Sequence, residues 1–206
     1  MDSTLKNHSK LPFSIDNPFD VYMSKVCVEI APFFKLLRFT PNGITALSFV
    51  TGLLSIYHFY ECRPILASVL LFVSFMFDYL DGIYARKYNM VTKFGSYFDH
   101  FKDLFVFLLY LLVICISKLK VNTKLVLIII SFISLVVYTL HVACQEKYSK
   151  YGYDYSLGFL GKHCPSGNNK NEIVKTLKYT RHWGCANVLL TQCVIIFYVC
   201  YYNLRL

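Results

Sequence analysis

The sequence predicts an all-α fold, a polytopic bundle of transmembrane helices with an interfacial amphipathic helix on its N-terminal side. Three observations lead there. Of 206 residues 56% are hydrophobic and only 16% charged, with a mean hydropathy of +0.46, which is too apolar for an ordinary soluble domain. The apolar residues gather into runs of the length that carries a helix across a hydrocarbon core of about 30 Å, roughly 20 residues. None of these runs alternates like the ten-residue strands of a membrane barrel, whereas a helix satisfies its own backbone in lipid.

Taken in order, residues 1–20 are polar, contain Pro12 and Pro18, and show no apolar core of a cleavable signal peptide. Residues 21–39 mix apolar and charged positions and read as a helix in the membrane interface, interrupted at Pro32. Spans follow at 43–60, 64–85, 96–117, 125–143 and 184–203. The stretch 145–182 is polar, so the count is five, with a sixth only if part of 155–183 re-enters the membrane. Without repeats, low-complexity tracts or a linker, 1–206 reads as a single domain: a cytosolic or interfacial segment over 1–42 and a bundle over 43–206.

The net charge of +9 does not point to nucleic acid once the spans are laid out. Fifteen Lys and Arg residues fall on the side of the N-terminus, including Lys25, Lys35, Arg38, Arg86, Lys87, Lys93 and the basic residues of 145–182. Arg63, Lys118, Lys120, Lys124 and Arg205 lie opposite. The positive-inside rule puts the crowded side in the cytosol, and topology with anionic headgroups accounts for the charge. The eight cysteines show no disulfide framework and read as free thiols. A zinc site from His163, Cys164, His182 and Cys185 lacks the paired spacing such sites use.

The chemistry concentrates in FDYLDGIYARKYNMVTKFGSYFDHFKDLF, residues 77–105, which holds four of the chain's 12 acidic residues. Asp78 and Asp81 are spaced i, i+3 near the end of the second span; Asp99 and Asp103 are spaced i, i+4 near the start of the third. Each pair shares a helix face. Two antiparallel spans joined by a short turn bring the faces to one membrane depth. Four carboxylates there repel one another and resist burial, so a positive charge belongs between them. Hard oxygen donors without His or Cys pairs favour Mg²⁺, Mn²⁺ or Ca²⁺, and four carboxylates suffice for two ions. Such a centre suits phosphoryl transfer. Gly82 and Gly95 allow close backbone approach by helix or nucleotide. The plain alternative is a solvated hairpin in which the acids pair with Arg86, Lys87, Lys93 and Lys102.

These residues resemble the CDP-alcohol phosphotransferase family, whose pattern D-x2-D-G-x2-A-R-x8-G-x3-D-x3-D is met by Asp78, Asp81, Gly82, Ala85, Arg86, Gly95, Asp99 and Asp103. The resemblance implies that Asp78, Asp81 and Asp99 bind metal, Mg²⁺ or Mn²⁺, and that Asp103 binds a second ion or takes the acceptor's proton. Gly82, Ala85 and Arg86 then face the CDP moiety. Thr40-Pro41-Asn42-Gly43-Ile44-Thr45 is similar to the segment opening the first span in this family, with Asn42 near the nucleotide; its plain reading is a helix cap. Thr92 is a candidate phosphate donor or simply a turn residue.

His100 makes the segment FDHFKD, similar to choline and ethanolamine phosphotransferases, and is a candidate general base or a hydrogen-bond partner of its neighbouring carboxylate. The implied reaction moves a substituted phosphate from a CDP-activated donor to an acceptor alcohol and releases CMP. His100 favours CDP-choline or CDP-ethanolamine with diacylglycerol; the short chain favours CDP-diacylglycerol with a small polar alcohol such as inositol, serine or glycerol phosphate. An inactive membrane scaffold and a divalent-cation transporter are the alternatives of other classes. The expected setting is an endoplasmic-reticulum-type or cytoplasmic membrane, with the site on the cytosolic face, lipid around it, no nucleic acid, and a homodimer allowed by the resemblance.

Overall fold

The computed structural model describes residues 11–12, 14–148, 157–167 and 169–203. Among them seven α-helices follow one another: α1 (Pro18–Leu36), α2 (Pro41–Tyr60), α3 (Pro64–Lys87), α4 (Lys93–Ile116), α5 (Val121–Tyr148), α6 (Lys170–Thr180) and α7 (Cys185–Asn203). Two 3₁₀ turns, Gly158–His163 and Arg181–Trp183, flank α6. The helical bundle expected from the sequence is the fold.

Local chemistry sets the boundaries. Asn17, Thr40 and Thr92 cap α1, α2 and α4 by accepting from the backbone N–H of Phe19, Gly43 and Gly95, and Pro18, Pro41 and Pro64 stand in the first turns of α1, α2 and α3. At the other end of α1, α2 and α3 the residue after the cap is left-handed: Arg38 at φ 58°, Cys62 at 52° and Asn89 at 54°. Each donates its N–H to the carbonyl three residues back, in the last turn, and the next residue closes a longer bond, as in Met90 to Ala85 at 2.8 Å, which is the Schellman termination.

Pro32 does not interrupt α1, contrary to the sequence reading. Proline leaves the carbonyl four residues back without its helical donor, and Lys87 Nζ from α3 donates to that carbonyl, Val28 O, at 2.9 Å. A lysine from the neighbouring helix thus replaces the missing N–H, and the helix runs on to Leu36.

Four stretches are long and apolar enough to cross a membrane, in α2, α3, α5 and the α6–α7 region. The fifth expected span, α4, is 24 residues long but carries Lys93, Asp99, Lys102 and Asp103 in its first half. No sixth span comes from the described part of 155–183: α6 has 11 residues, far too few to cross. Outward faces are apolar, with Val50, Leu54, Val69, Leu108, Ile129, Ile133 and Val194 among many exposed large side chains, as expected where lipid is the solvent.

Three clusters hold the interior. Ile56, Phe59, Leu71, Phe107, Tyr110, Ile114, Ile196 and Val199 fill one end of the bundle. Cys27, Ala31, Ile44, Leu80, Ile83 and Tyr84 join α1, α2 and α3. Leu11, Ile15, Ala143, Cys144, Ile173 and Leu177 seat α6 on α5. Between α2 and α3 the contact is close and polar: Ser48 Oγ donates to Ser74 O at 2.9 Å, Ser74 Oγ to Ser48 O at 2.8 Å, and Ser55 Oγ to Ala67 O at 2.7 Å. Small hydroxyl residues let the backbones approach, as membrane helices require.

The free-thiol reading fails for one pair. Cys144 at the end of α5 and Cys164 after the 3₁₀ turn form a disulfide, with Cα atoms 4.8 Å apart. Their spacing of 20 residues shows no such proximity in sequence; the seating of the 3₁₀ turn on α5 creates it. Cys164 is therefore unavailable to the zinc arrangement considered above. Six other cysteines are free, among them Cys27, Cys185 and Cys200.

The sequence also pairs α3 and α4 as direct neighbours. Instead both pack on α2, while α3 and α4 approach each other only sparsely. That separation keeps the aspartate-bearing faces from closing on one another and leaves a cavity between them.

Candidate active site

The cavity has a volume of about 800 Å³ and is walled by α1, α2, α3, α4, α5 and the first residues of α6 and α7. All the predicted site residues reach it: Asn42, Asp78, Asp81, Gly82, Ala85, Arg86, Thr92, Gly95, Asp99, His100 and Asp103.

At its floor three of the four aspartates, Asp78, Asp99 and Asp103, contact the ammonium of Lys102, and Asp81 lies beside Asp78 and Asp99. Nζ lies 3.1 Å from Asp99 Oδ1 and 3.0 Å from Asp103 Oδ1, contacts Asp78 Oδ1, and donates to Ser48 Oγ at 3.1 Å. The expected positive charge between the carboxylates is thus present, supplied by a residue that is only 2% exposed. In sequence Lys102 looked like a surface partner in the plain alternative reading. Its i+3 position after Asp99 and the apolar residues flanking it were the available signal.

Asp81, 6% exposed, accepts from Thr45 Oγ1 at 2.6 Å. That hydroxyl also lies 3.1 Å from Pro41 O in its own helix. Thr45, absent from the predicted set although it ends the Thr40–Thr45 segment, therefore fixes the Asp81 carboxylate from α2. The solvent openness of the acids differs: the Asp103 side chain is 54% exposed and that of Asp78 22%. His100 Nδ1 lies 3.4 Å from Asp99 Oδ2, so His100 is a neighbour of a candidate ligand as well as a wall of the cavity.

The donor set suits a divalent cation. Single oxygen atoms of Asp78, Asp81 and Asp99 lie within 4.8 Å of one another, and Asp99, His100 and Asp103 offer a second such group. Asp99 Oδ1 is buried without a well-aligned hydrogen bond, despite its closeness to Lys102. Against four carboxylates Lys102 supplies one charge, and hard anionic oxygens of this kind suit a hard divalent cation.

The glycines of the motif are held to their identity by neighbours. A Cβ on Gly95 would lie 2.9 Å from Asn42 Oδ1 and 3.0 Å from Thr92 Oγ1, and one on Gly82 would lie 3.3 Å from Arg86 Nη1. Asn42 and Thr92 therefore converge on the start of α4, and the Arg86 guanidinium lies over Gly82. Under the transferase activity proposed below, Gly95→Ala should displace Asn42 and disturb the Thr92 cap, lowering kcat/KM for a nucleotide donor roughly ten- to a hundredfold through misplacement alone. Titrating donor against the purified variant would show it as a raised KM with the melting temperature lowered only slightly.

Of the basic residues in 145–182, Lys170 alone lines the cavity among the described residues, and its ammonium sits 5.4 Å over the Tyr148 ring. His141 is buried in packing, within hydrogen-bond distance of Thr180 and Gln145.

A family profile for CDP-alcohol phosphatidyltransferases matches residues 38–162, which covers α2 to α5 and the whole aspartate cluster. The chain belongs to the CDP-alcohol phosphatidyltransferase family. It is 39% identical over 82 residues to a bifunctional IPC transferase and DIPP synthase of Aquifex aeolicus, a match covering 40% of this chain and 19% of that protein. It is 43% identical over 63 residues to an archaetidylinositol phosphate synthase of Pyrococcus horikoshii, covering 31% and 34%. A CDP-diacylglycerol–serine O-phosphatidyltransferase of Helicobacter pylori is 37% identical over 67 residues, covering 32% and 28%. The chain thus matches about a third or less of the length of these relatives. The matched region lies in a bundle with four stretches long and apolar enough to cross a membrane.

Proposed function

We propose that this protein transfers a phosphatidyl-type group from CDP-diacylglycerol or a similar CDP-linked lipid to a small polar alcohol, releasing CMP. The observation that carries this is the gathering of four motif aspartates, from two helices, in one cavity of about 800 Å³, three of them on the Lys102 ammonium. The choice of donor rests on the relatives, whose names include CDP-diacylglycerol–serine O-phosphatidyltransferase and none of the choline or ethanolamine enzymes. That reverses the preference drawn from FDHFKD. His100 lies against Asp99 and has a role beside that carboxylate without being the base.

In this reading Asp78, Asp81 and Asp99 hold Mg²⁺ or Mn²⁺, with Asp103 at the edge of the same cluster. The bound cation supplies charge neutralisation for the pyrophosphate and for the departing CMP. Thr45 orients Asp81, Asn42 and Thr92 line the nucleotide end, and Arg86 over Gly82 offers its guanidinium to a phosphate. Asp103, the most open of the four, accepts the proton of the acceptor hydroxyl. The hydroxyl oxygen bonds to the β-phosphorus as the bond to the CMP oxygen breaks. We further place α4 in the membrane beside α2 as a fifth span, treat 1–206 as one functional unit, and assign the cavity mouth to the cytosolic side, on the charge asymmetry of the loops.

CMP release from purified protein in detergent–lipid micelles, with Mg²⁺ or Mn²⁺ and each CDP donor offered separately, tests the reading. Release is expected with CDP-diacylglycerol and a mixed set of alcohols. Release only with CDP-choline or CDP-ethanolamine and diacylglycerol would overturn the donor assignment, and none with any donor would overturn the enzyme.

A further inference from the structure

Within the proposed reading, we infer that Asp20, with Asp16 beside it, forms a subsite for the protonated amine of the acceptor, so that the acceptor is a small amino alcohol rather than a phosphorylated or neutral polyol. Both residues precede the family match, which begins at residue 38.

Asp20 lies in the first turn of α1, is 5% exposed, and lines the cavity. Its Oδ1 is buried and has no hydrogen-bond partner among the described residues. Helix capping does not account for it: Asn17 already caps α1 and ties it to the α6–α7 junction by donating from Nδ2 to Arg181 O at 2.7 Å. A buried carboxylate with an unused oxygen in a cavity is a binding group awaiting a donor. Its surroundings select a cation. Asp16 adds a second carboxylate, also only 5% exposed, and Tyr79, Tyr138 and Cys185 bound the space from α3, α5 and α7.

A phosphate on the acceptor would meet these acids and find Lys170, which is engaged with the Tyr148 ring. Arg86, the other cation of this region, lies over Gly82 on the donor side. An ammonium group instead meets the unused Asp20 oxygen, with the Asp16 charge beside it, in a low-dielectric recess where such a pairing is strong.

Burial, with the nearby Asp16 charge, pushes the Asp20 carboxyl up to about 7. The groups facing it are Asp16 on its own segment, Tyr79 on α3, Tyr138 on α5 and Cys185 on α7. An unliganded Asp20 is then half ionised near neutrality, and amine binding draws it to the carboxylate form. Because its folded value is raised, its ionisation opposes folding: stability falls as pH rises from about 4 to about 7 and levels above that.

Two measurements on the full protein in micelles test this. In the first, melting temperature is followed as serine, ethanolamine, inositol or glycerol phosphate is added with Mg²⁺ and CDP-diacylglycerol present. The amino alcohols should raise it, more at pH 8 than at pH 6, and the rise should vanish in Asp20→Asn. In the second, KM values from CMP release should be at least tenfold higher in Asp20→Asn for an amino alcohol, with donor binding unchanged. Without ligand Asp20→Asn should melt higher than the parent at pH 8, since it removes an uncompensated buried charge, whereas a carboxylate with a structural partner would give a lower value. Preference for inositol or glycerol phosphate, an unchanged KM, or a destabilised Asp20→Asn would overturn the subsite. Absent CMP release combined with an Asp20-dependent thermal shift would sink the transferase reading and leave the amine site standing; absent release and absent shift would sink both.

Discussion

Under the proposed activity, Asp81→Asn is expected to abolish CMP release, by roughly a thousandfold or more, while the bundle stays folded. The carboxylate belongs to the three-residue oxygen group of Asp78, Asp81 and Asp99, and loss of one preorganised charged group where phosphoryl charge develops costs on this scale. The fold tolerates the change because asparagine keeps an oxygen for the 2.6 Å bond from Thr45. Three carboxylates also remain around Lys102, so the stability change should stay within about 1 kcal/mol. CMP release alongside a thermal melt and size-exclusion profile checks both halves. Near-parent activity in Asp81→Asn would remove the metal assignment.

Lys102→Met has the second large effect, and its sign depends on divalent cation. Lys102 is buried and touches Asp78, Asp99, Asp103 and Ser48, which joins α2 and α3 to α4. Removing one partner from a buried charge cluster leaves the others uncompensated and costs about 3–5 kcal/mol. In EDTA the variant should therefore melt several degrees lower. Added Mn²⁺ restores the missing positive charge without having to displace the lysine, so the rise in melting temperature per unit of Mn²⁺ should be larger than in the parent, with half-saturation at lower concentration. Equal melting of the two proteins in EDTA would show that Lys102 is not what neutralises the cluster.

Much of the site is legible in the chain because it is local. The i, i+3 spacing of Asp78 and Asp81 and the i, i+4 spacing of Asp99 and Asp103 place each pair on one helix face by helix geometry alone. Thr40 and Thr92 are readable as caps from their position before Pro41 and Gly95, and the structure shows them capping. Thr92, offered as a turn residue or a phosphate donor, stands at the helix boundary and also lines the cavity. The apparent break at Pro32 was misread for an equally physical reason: the donor that rescues Val28 O comes from Lys87, 59 residues away.

What the sequence by itself determined is the helical membrane class, the approximate extent of the apolar helices and the set of acids, because apolar run length and motif spacing act within a few turns of one helix. The tertiary structure alone decided which charges meet. Packing of α3 and α4 on α2 rather than on each other opens the cavity. It also brings Lys102 among the four aspartates, sets Thr45 against Asp81, closes Cys144 on Cys164, and folds α1 back so that Asp20 faces the same space as the motif. Those outcomes depend on which helix faces are buried against which, and a cavity is what remains where they do not touch.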